Sequence, residues 1–207
     1  ALLATSATLL LGYTKERFET AQIILAGIAV ATFLGSMVAL IKALNEESVT
    51  SIVFWIMGSF QGRSWESLPV LMGTILPALL CLIFFWRSCD VLLLHDDQAQ
   101  QMGLSVTRTR FCAILLASLL TAGSVAVAGV IGFVGLVVPH IIRLLIGPAH
   151  GPLFIASFFG GGILLLVSDV LARTILSDGQ ELPVGVVTAL LGGPFFACLI
   201  RMRERDA

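Results

Sequence analysis

The chain has 207 residues, 57% of them hydrophobic and 12% charged, with a net charge of −1 at pH 7. That charged share is about half of what a soluble domain carries, so a water-soluble globular protein is excluded as the starting assumption. The near-neutral balance gives no sign of a nucleic-acid partner, and a mean hydropathy of +1.01 spread over several uncharged runs leads to the expectation of an all-α, polytopic membrane protein.

Residues 1–11 are apolar but only half a span long, and the chain opens at Ala1 inside that run without a basic start. The run therefore reads as the tail of an earlier helix in an N-terminally incomplete chain, with no cleavable leader. After the polar loop GYTKERFET (12–20), residues 21–44 make a full crossing that ends at NEES (45–48). Residues 50–60 are apolar and aromatic but too short to cross, which suits an interfacial or re-entrant helix with Trp55 and Trp65 at headgroup level. Residues 68–86 cross back, with Pro69 near the start and Pro77 expected to kink the helix.

The longest polar stretch, 87–110, contains VLLLHDDQAQQMGL (91–104), which reads as a short amphipathic helix closed by Gly103. Residues 111–142 carry no formal charge. They are too long for one helix at about 1.5 Å per residue and too short for two complete crossings. Gly129, Gly132 and Gly135 supply the break, so a full outward helix, a Gly-rich turn and a short return helix ending near Arg143 are predicted. Residues 152–176 and 182–200 form a last pair joined by SDGQE. The whole of 1–207 thus reads as one transmembrane domain of about six crossings plus the tail of an earlier helix.

Placing 12–20 in the cytoplasm and alternating the crossings puts Lys15, Arg17, Arg87, Arg108, Arg110, Arg143, Arg201, Arg203 and Arg205 inside and Lys42, Arg63 and Arg173 outside. This distribution obeys the positive-inside rule, and it requires the hairpin at 111–142. Cys81, Cys89, Cys112 and Cys198 lie in or beside apolar runs without zinc spacing and read as small packing residues.

Irregular backbone at membrane depth is tolerated only where it is buried in protein or lines a wet cavity. Gly129, Gly132, Gly135 and Pro139 are therefore assigned to a pathway or a close helix interface, as are Gly192, Gly193 and Pro194, which should interrupt or kink the last helix. His140 reads as a hydrogen-bonding group rather than a ligand, and Arg143 as a cytoplasmic anchor. Asp169 and Arg173, four apart on one helix, share a face and can pair. An apolar ridge of Val91, Leu92, Leu94 and Met102 beside Asp96, Asp97 and Gln98 suits insertion into a groove of a partner protein, and its acidic character argues against a membrane-surface helix. No phosphate loop, H-E-x-x-H or G-x-S-x-G is present, so no catalytic residue and no metal ligand is expected on this chain.

Five segments, LAGIAVATFLGS (25–36), FWIMGSF (54–60), GVIGFVGLVVPHIIRLLIGPAH (129–150), SDVLART (168–174) and ELPVGVVTALLGGPFF (181–196), resemble in order the permease subunits of type II ABC importers. That family takes up iron-siderophore complexes, haem and cobalamin. The resemblance implies the C-terminal three-fifths of a ten-helix subunit in a bacterial inner membrane, paired with a second permease subunit, identical or related. Two ATP-binding subunits, holding ATP and Mg, would engage the cytoplasmic loop 90–104 through Leu92, Leu94, His95, Asp96, Asp97, Ala99, Met102 and Gly103, and the chain itself would bind no cofactor. A periplasmic or lipoprotein substrate-binding protein would dock its glutamates at Arg173. Where the family reads L-G-[DE] this chain has Leu94-His95-Asp96, a departure that bears on the bend between two short loop helices. The cargo implied first is a ferric siderophore, with haem, cobalamin and oxyanions such as molybdate behind it. A secondary transporter would need charged residues at mid-depth, for which Asp169 is the nearest candidate, and an intramembrane enzyme would need a paired catalytic set.

Overall fold

The computed structural model describes residues 2–12, 20–45, 49–176 and 181–203, and every regular element among them is helical. The helices are α1 (Leu2–Gly12), α2 (Thr20–Leu44), α3 (Val49–Met57), α4 (Leu68–Val91), α5 (Asp96–Gln101), α6 (Val106–Ala128), α7 (Val134–Ile146), α8 (His150–Thr174) and α9 (Val184–Arg203). A single 3₁₀ turn, Trp65–Ser67, leads into α4. The loop cations Lys15 and Arg17, most of SDGQE and the C-terminal Arg205 lie outside the described residues.

Four helical stretches, Ala21–Leu44, Trp65–Val91, Val106–Ala128 and His150–Thr174, are long and apolar enough to cross a bilayer. The break expected within 111–142 is present, with α6 and α7 separated by residues 129–133. Several ends differ from the apolar runs that marked them. Helix α4 continues through Arg87 to Val91, α6 begins at Val106 among polar residues, and α7 runs one turn past Arg143 to Ile146. Hydropathy marks the lipid-facing part of a helix, whereas its end is set by where backbone hydrogen bonding stops. Gly147, at φ 90°, accepts that role for α7, donating its N–H to the Arg143 carbonyl at 3.0 Å, and Pro148 follows.

Two other expectations are corrected. Only one short helix, α5, stands in the loop 90–104, because the first half of that loop is absorbed by the end of α4 and a turn. Nor is α9 interrupted at Gly192-Gly193-Pro194, since it continues to Arg203. Proline deletes one backbone bond to the carbonyl four residues back, and a packed helix carries on through that loss. Pro183 stands just before α9.

The chain divides into two compact units. The first, residues 1–52 and 69–124, packs α1 on α2 and brings α4 against α6. Thr5 donates to Ser118 at 2.9 Å, and a Cβ on Gly123 would lie 2.5 Å from Thr74 Oγ1, so the α4–α6 contact depends on that glycine. Residues of α2 such as Phe33 and Met37 are largely exposed among the described residues, as on a lipid- or partner-facing helix. Cys81, Cys112 and Cys198 are also exposed within this chain, and Cys89 is half-buried.

The second unit, residues 53–68 and 125–207, packs α7, α8 and α9 against one another. Ala172, Val184 and Val187 are its buried centre, covered by Phe60, Ile131 and Leu182. Here three lengths of backbone touch. The Ser59 N–H donates to the Ala128 carbonyl at 2.9 Å at the end of α6, and the Gly185 N–H donates to the Gly58 carbonyl at 3.2 Å. These bonds satisfy groups that helix ends leave unpaired and that lipid cannot satisfy. Gly58 and Gly129 both have positive φ, 71° and 73°. A Cβ on Gly58 would stand 2.5 Å from the Val130 carbonyl oxygen, one on Gly129 would strike the Trp55 carbonyl oxygen, and one on Gly185 the Met57 carbonyl oxygen.

Gly185→Ala in the full-length protein should therefore cost about 2 kcal/mol or more, lowering Tm by roughly 4–8 °C in detergent. Gly193→Ala, whose Cβ would meet nothing within 4 Å, should leave Tm unchanged or slightly raised. Equal shifts would show that the backbone contact does not set the packing.

Candidate functional site

The loop at the α5–α6 junction is built tightly for a surface segment. His95 caps α5 with φ −65° and ψ 149°, an extended conformation open to any residue, and its carbonyl accepts the Ala99 N–H at 3.0 Å. No glycine is needed at His95 for the helix to start there. At the other end Gly103, at φ 81°, donates to the Gln100 carbonyl at 2.9 Å while Leu104 donates to the Ala99 carbonyl at 3.1 Å. This pair of bonds is the Schellman closure of a helix, and it requires a residue at ease in the left-handed region.

Ala99 is fully buried, together with Val106 and Thr109 of α6. Arg110 donates from Nη2 and Nη1 to the two oxygens of Asp96 at 2.7 and 3.1 Å, tying the first turn of α5 to α6. The pair is exposed, so its worth lies in bidentate orientation more than in stability. What remains outward is Asp97, Gln98, Leu93, Leu94 and Met102. The outward ridge thus differs from the expected one in using Leu93, while Leu92 is half-buried.

In the second unit the break at 129–133 is carried unevenly. Gly129 makes a close backbone approach, but a Cβ on Gly132 or Gly135 would meet nothing within 4 Å, and Gly135 sits in the first turn of α7. The residue that turns the chain is Phe133, at φ 65°, the one non-glycine in the left-handed region among the described residues. Its ring lies on Gly192 of α9, whose missing side chain makes room for it. Phe133, Val137, Leu164, Thr188 and Gly192 border a cavity of about 90 Å³. Pro139 and His140 lie half-buried further along α7. Sequence reasoning passed over Gly58, Phe133 and Gly185. No composition rule identifies a phenylalanine with positive φ, although Gly58 and Gly185 stand in two of the quoted segments.

At the end of α8, Arg173 Nε donates to Asp169 Oδ2 at 2.9 Å, the pairing that the i, i+4 spacing implies. Glu181, just before α9, is a second carboxylate 3.5 Å from Arg173 Nη1. It too was not singled out from the sequence. Asp169 is thus engaged by a fixed cation. No group of three His, Cys, Asp or Glu is placed to hold a metal among the described residues.

An all-helical multi-pass membrane protein with a capped surface helix, a helix break at 129–133 and backbone crossing at glycines is the class these features define. Residues 1–202 match the model of the FecCD transport family, and the chain belongs to that family. It is 39% identical over 187 residues to the hemin transport system permease protein HmuU of Yersinia pestis, covering 90% of this chain and 55% of that protein. It is 35% identical over 204 residues to the cobalamin import system permease protein BtuC of Halobacterium salinarum, covering 99% and 54%. A solved structure described as an inward-facing conformation of a metal-chelate type ABC transporter superposes with a TM-score of 0.83 at 32% identity, over 95% of this chain and 63% of that one. The chain therefore spans a little over half the length of these curated relatives.

Gly103→Ala should cost about 1–2 kcal/mol locally, because an L side chain resists the left-handed region, and should speed amide exchange at Gly103 and Leu104. His95→Gly should change stability by less than about 1 kcal/mol. The reverse order would show that His95, not Gly103, shapes the loop.

Proposed function

We propose that this chain is the membrane-spanning permease part of an ATP-driven importer that carries a metal chelate across a bacterial inner membrane. The observation that carries the reading is the match of residues 1–202 to the FecCD transport family. Relatives named for hemin, cobalamin and metal-chelate transport support a bulky chelate or ring cargo. A ferric siderophore is the cargo proposed first, with haem and cobalamin as alternatives.

In this reading two copies of the permease, or this chain and a relative, enclose the path. ATP and Mg are held by two separate ATP-binding subunits that grip α5. The bound ridge of Leu94 and Met102 would sit in a groove of the ATPase, with Asp97 at its rim, as amphipathic helices dock in general. The Schellman closure and the Asp96–Arg110 pair support this role because a lever that transmits force has to be stiff. A substrate-binding protein would deliver cargo at the opposite face and dock at Arg173, whose side chain is 45% exposed.

The test is uptake and ATP hydrolysis by the full-length permease reconstituted with its ATPase and binding protein. Asp97→Lys combined with Met102→Ala should lower substrate-stimulated hydrolysis about tenfold, the equivalent of about 1.4 kcal/mol of lost contact, while insertion and Tm stay unchanged. Wild-type stimulation in that variant would remove α5 from the coupling role. Failure of the wild-type system to accumulate ferric siderophore, haem or cobalamin would refute the cargo class.

A further inference from the structure

Arg173 is not a solitary cation. Its Nε donates to Asp169 at 2.9 Å and its Nη1 faces Glu181 at 3.5 Å, so one positive charge meets two carboxylates and the cluster is net negative. Such a cluster does not attract an acidic partner as it stands. The two contacts are unequal, however. Asp169 is one helical turn away and within ordinary hydrogen-bond distance, whereas 3.5 Å is at the limit of a useful bond.

The backbone beside Glu181 is tied down. The next residue, Leu182, donates its N–H to the Ala172 carbonyl at 3.1 Å, and Pro183 and Val184 beyond it are buried. The backbone therefore keeps Glu181 near Arg173, while its carboxylate is bonded to the guanidinium only at 3.5 Å and can rotate away about its own side-chain torsions. A guanidinium has five N–H donors in a fixed fork, more than these two contacts use, and a carboxylate approaching from outside can take its Nη edge in bidentate fashion.

We propose that Glu181 is an internal stand-in for a carboxylate of the docking binding protein. On docking, the partner's carboxylate displaces Glu181 from the Nη edge of Arg173, while Asp169 keeps the guanidinium aimed outward as a positioning residue. The proposal rests on the docking reading of Arg173 given above and adds that the partner's bond replaces one already present. Docking is weaker than a bare arginine would give, and the returning Glu181 offers a path for release.

The experiment measures the affinity of the cognate binding protein for the full-length permease assembled with its ATPase in lipid nanodiscs, at low and moderate salt. Glu181→Gln keeps the side-chain size and the backbone ties but removes the competing charge, and should tighten binding about fivefold, equivalent to about 1 kcal/mol. Glu181→Ala, which shares only the charge removal, should shift the same way. Asp169→Asn and Arg173→Glu should both weaken binding, the latter about tenfold or more. Unchanged or weaker binding in both Glu181 variants, with Arg173→Glu still impaired, overturns the exchange and leaves docking at Arg173 standing. Weaker binding would mean that the partner offers a cation to Glu181. Unaltered affinity in Arg173→Glu overturns the docking reading and the exchange together.

Discussion

In hydrocarbon no water is available to pair a backbone N–H or carbonyl, so a broken helix survives only where other backbone closes the gap. The contact of residues 55–59, 128–131 and 183–186 is that closure in the second unit. Ser59 pairs the last carbonyl of α6, Gly185 pairs the Gly58 carbonyl, and Gly58, Gly129 and Gly185 allow the approach by having no side chain. The turn into α7, its seat on Gly192 and the start of α9 beside Arg173 all follow from that contact. A phenylalanine at φ 65° costs on the order of 1–3 kcal/mol, and its fit over Gly192 is what holds it there.

Much of this was legible in the sequence because membrane helices advertise themselves by length and apolarity. The break within 111–142 could be deduced from length against bilayer thickness, and the closure of α5 at Gly103 from a single glycine after an amphipathic run. The Asp169–Arg173 pair followed from helical spacing alone. Helix ends were not legible, since polar residues such as Arg87 and Thr107 continue a helix into the headgroup zone. Three glycines in a row of quoted positions looked equivalent at the break, yet only Gly129 meets other backbone, because close approach is a property of the partner segment and not of the residue type. Glu181 escaped notice for a similar reason, lying eight residues from Arg173 across a loop that sequence spacing does not fold.

The two surface features differ in the kind of precision they require. The α5 loop is fixed by backbone closure at both ends and by a bidentate ion pair, an arrangement suited to bearing load. The Arg173 cluster has one close bond and one long one, an arrangement suited to exchange. The cavity beside Phe133 is bordered by apolar and small side chains and the hydroxyl of Thr188.

The most direct measurement of the central claim is a double-mutant cycle on the thermal stability of the full-length protein, using Gly58→Ala, Gly129→Ala and the double variant. If both glycines serve one backbone contact, either substitution opens it, and the double variant should lose little more than the worse single one, a departure from additivity well above about 0.5 kcal/mol. Losses that simply add would mean that the two positions act independently and that no shared crossing holds the broken helix.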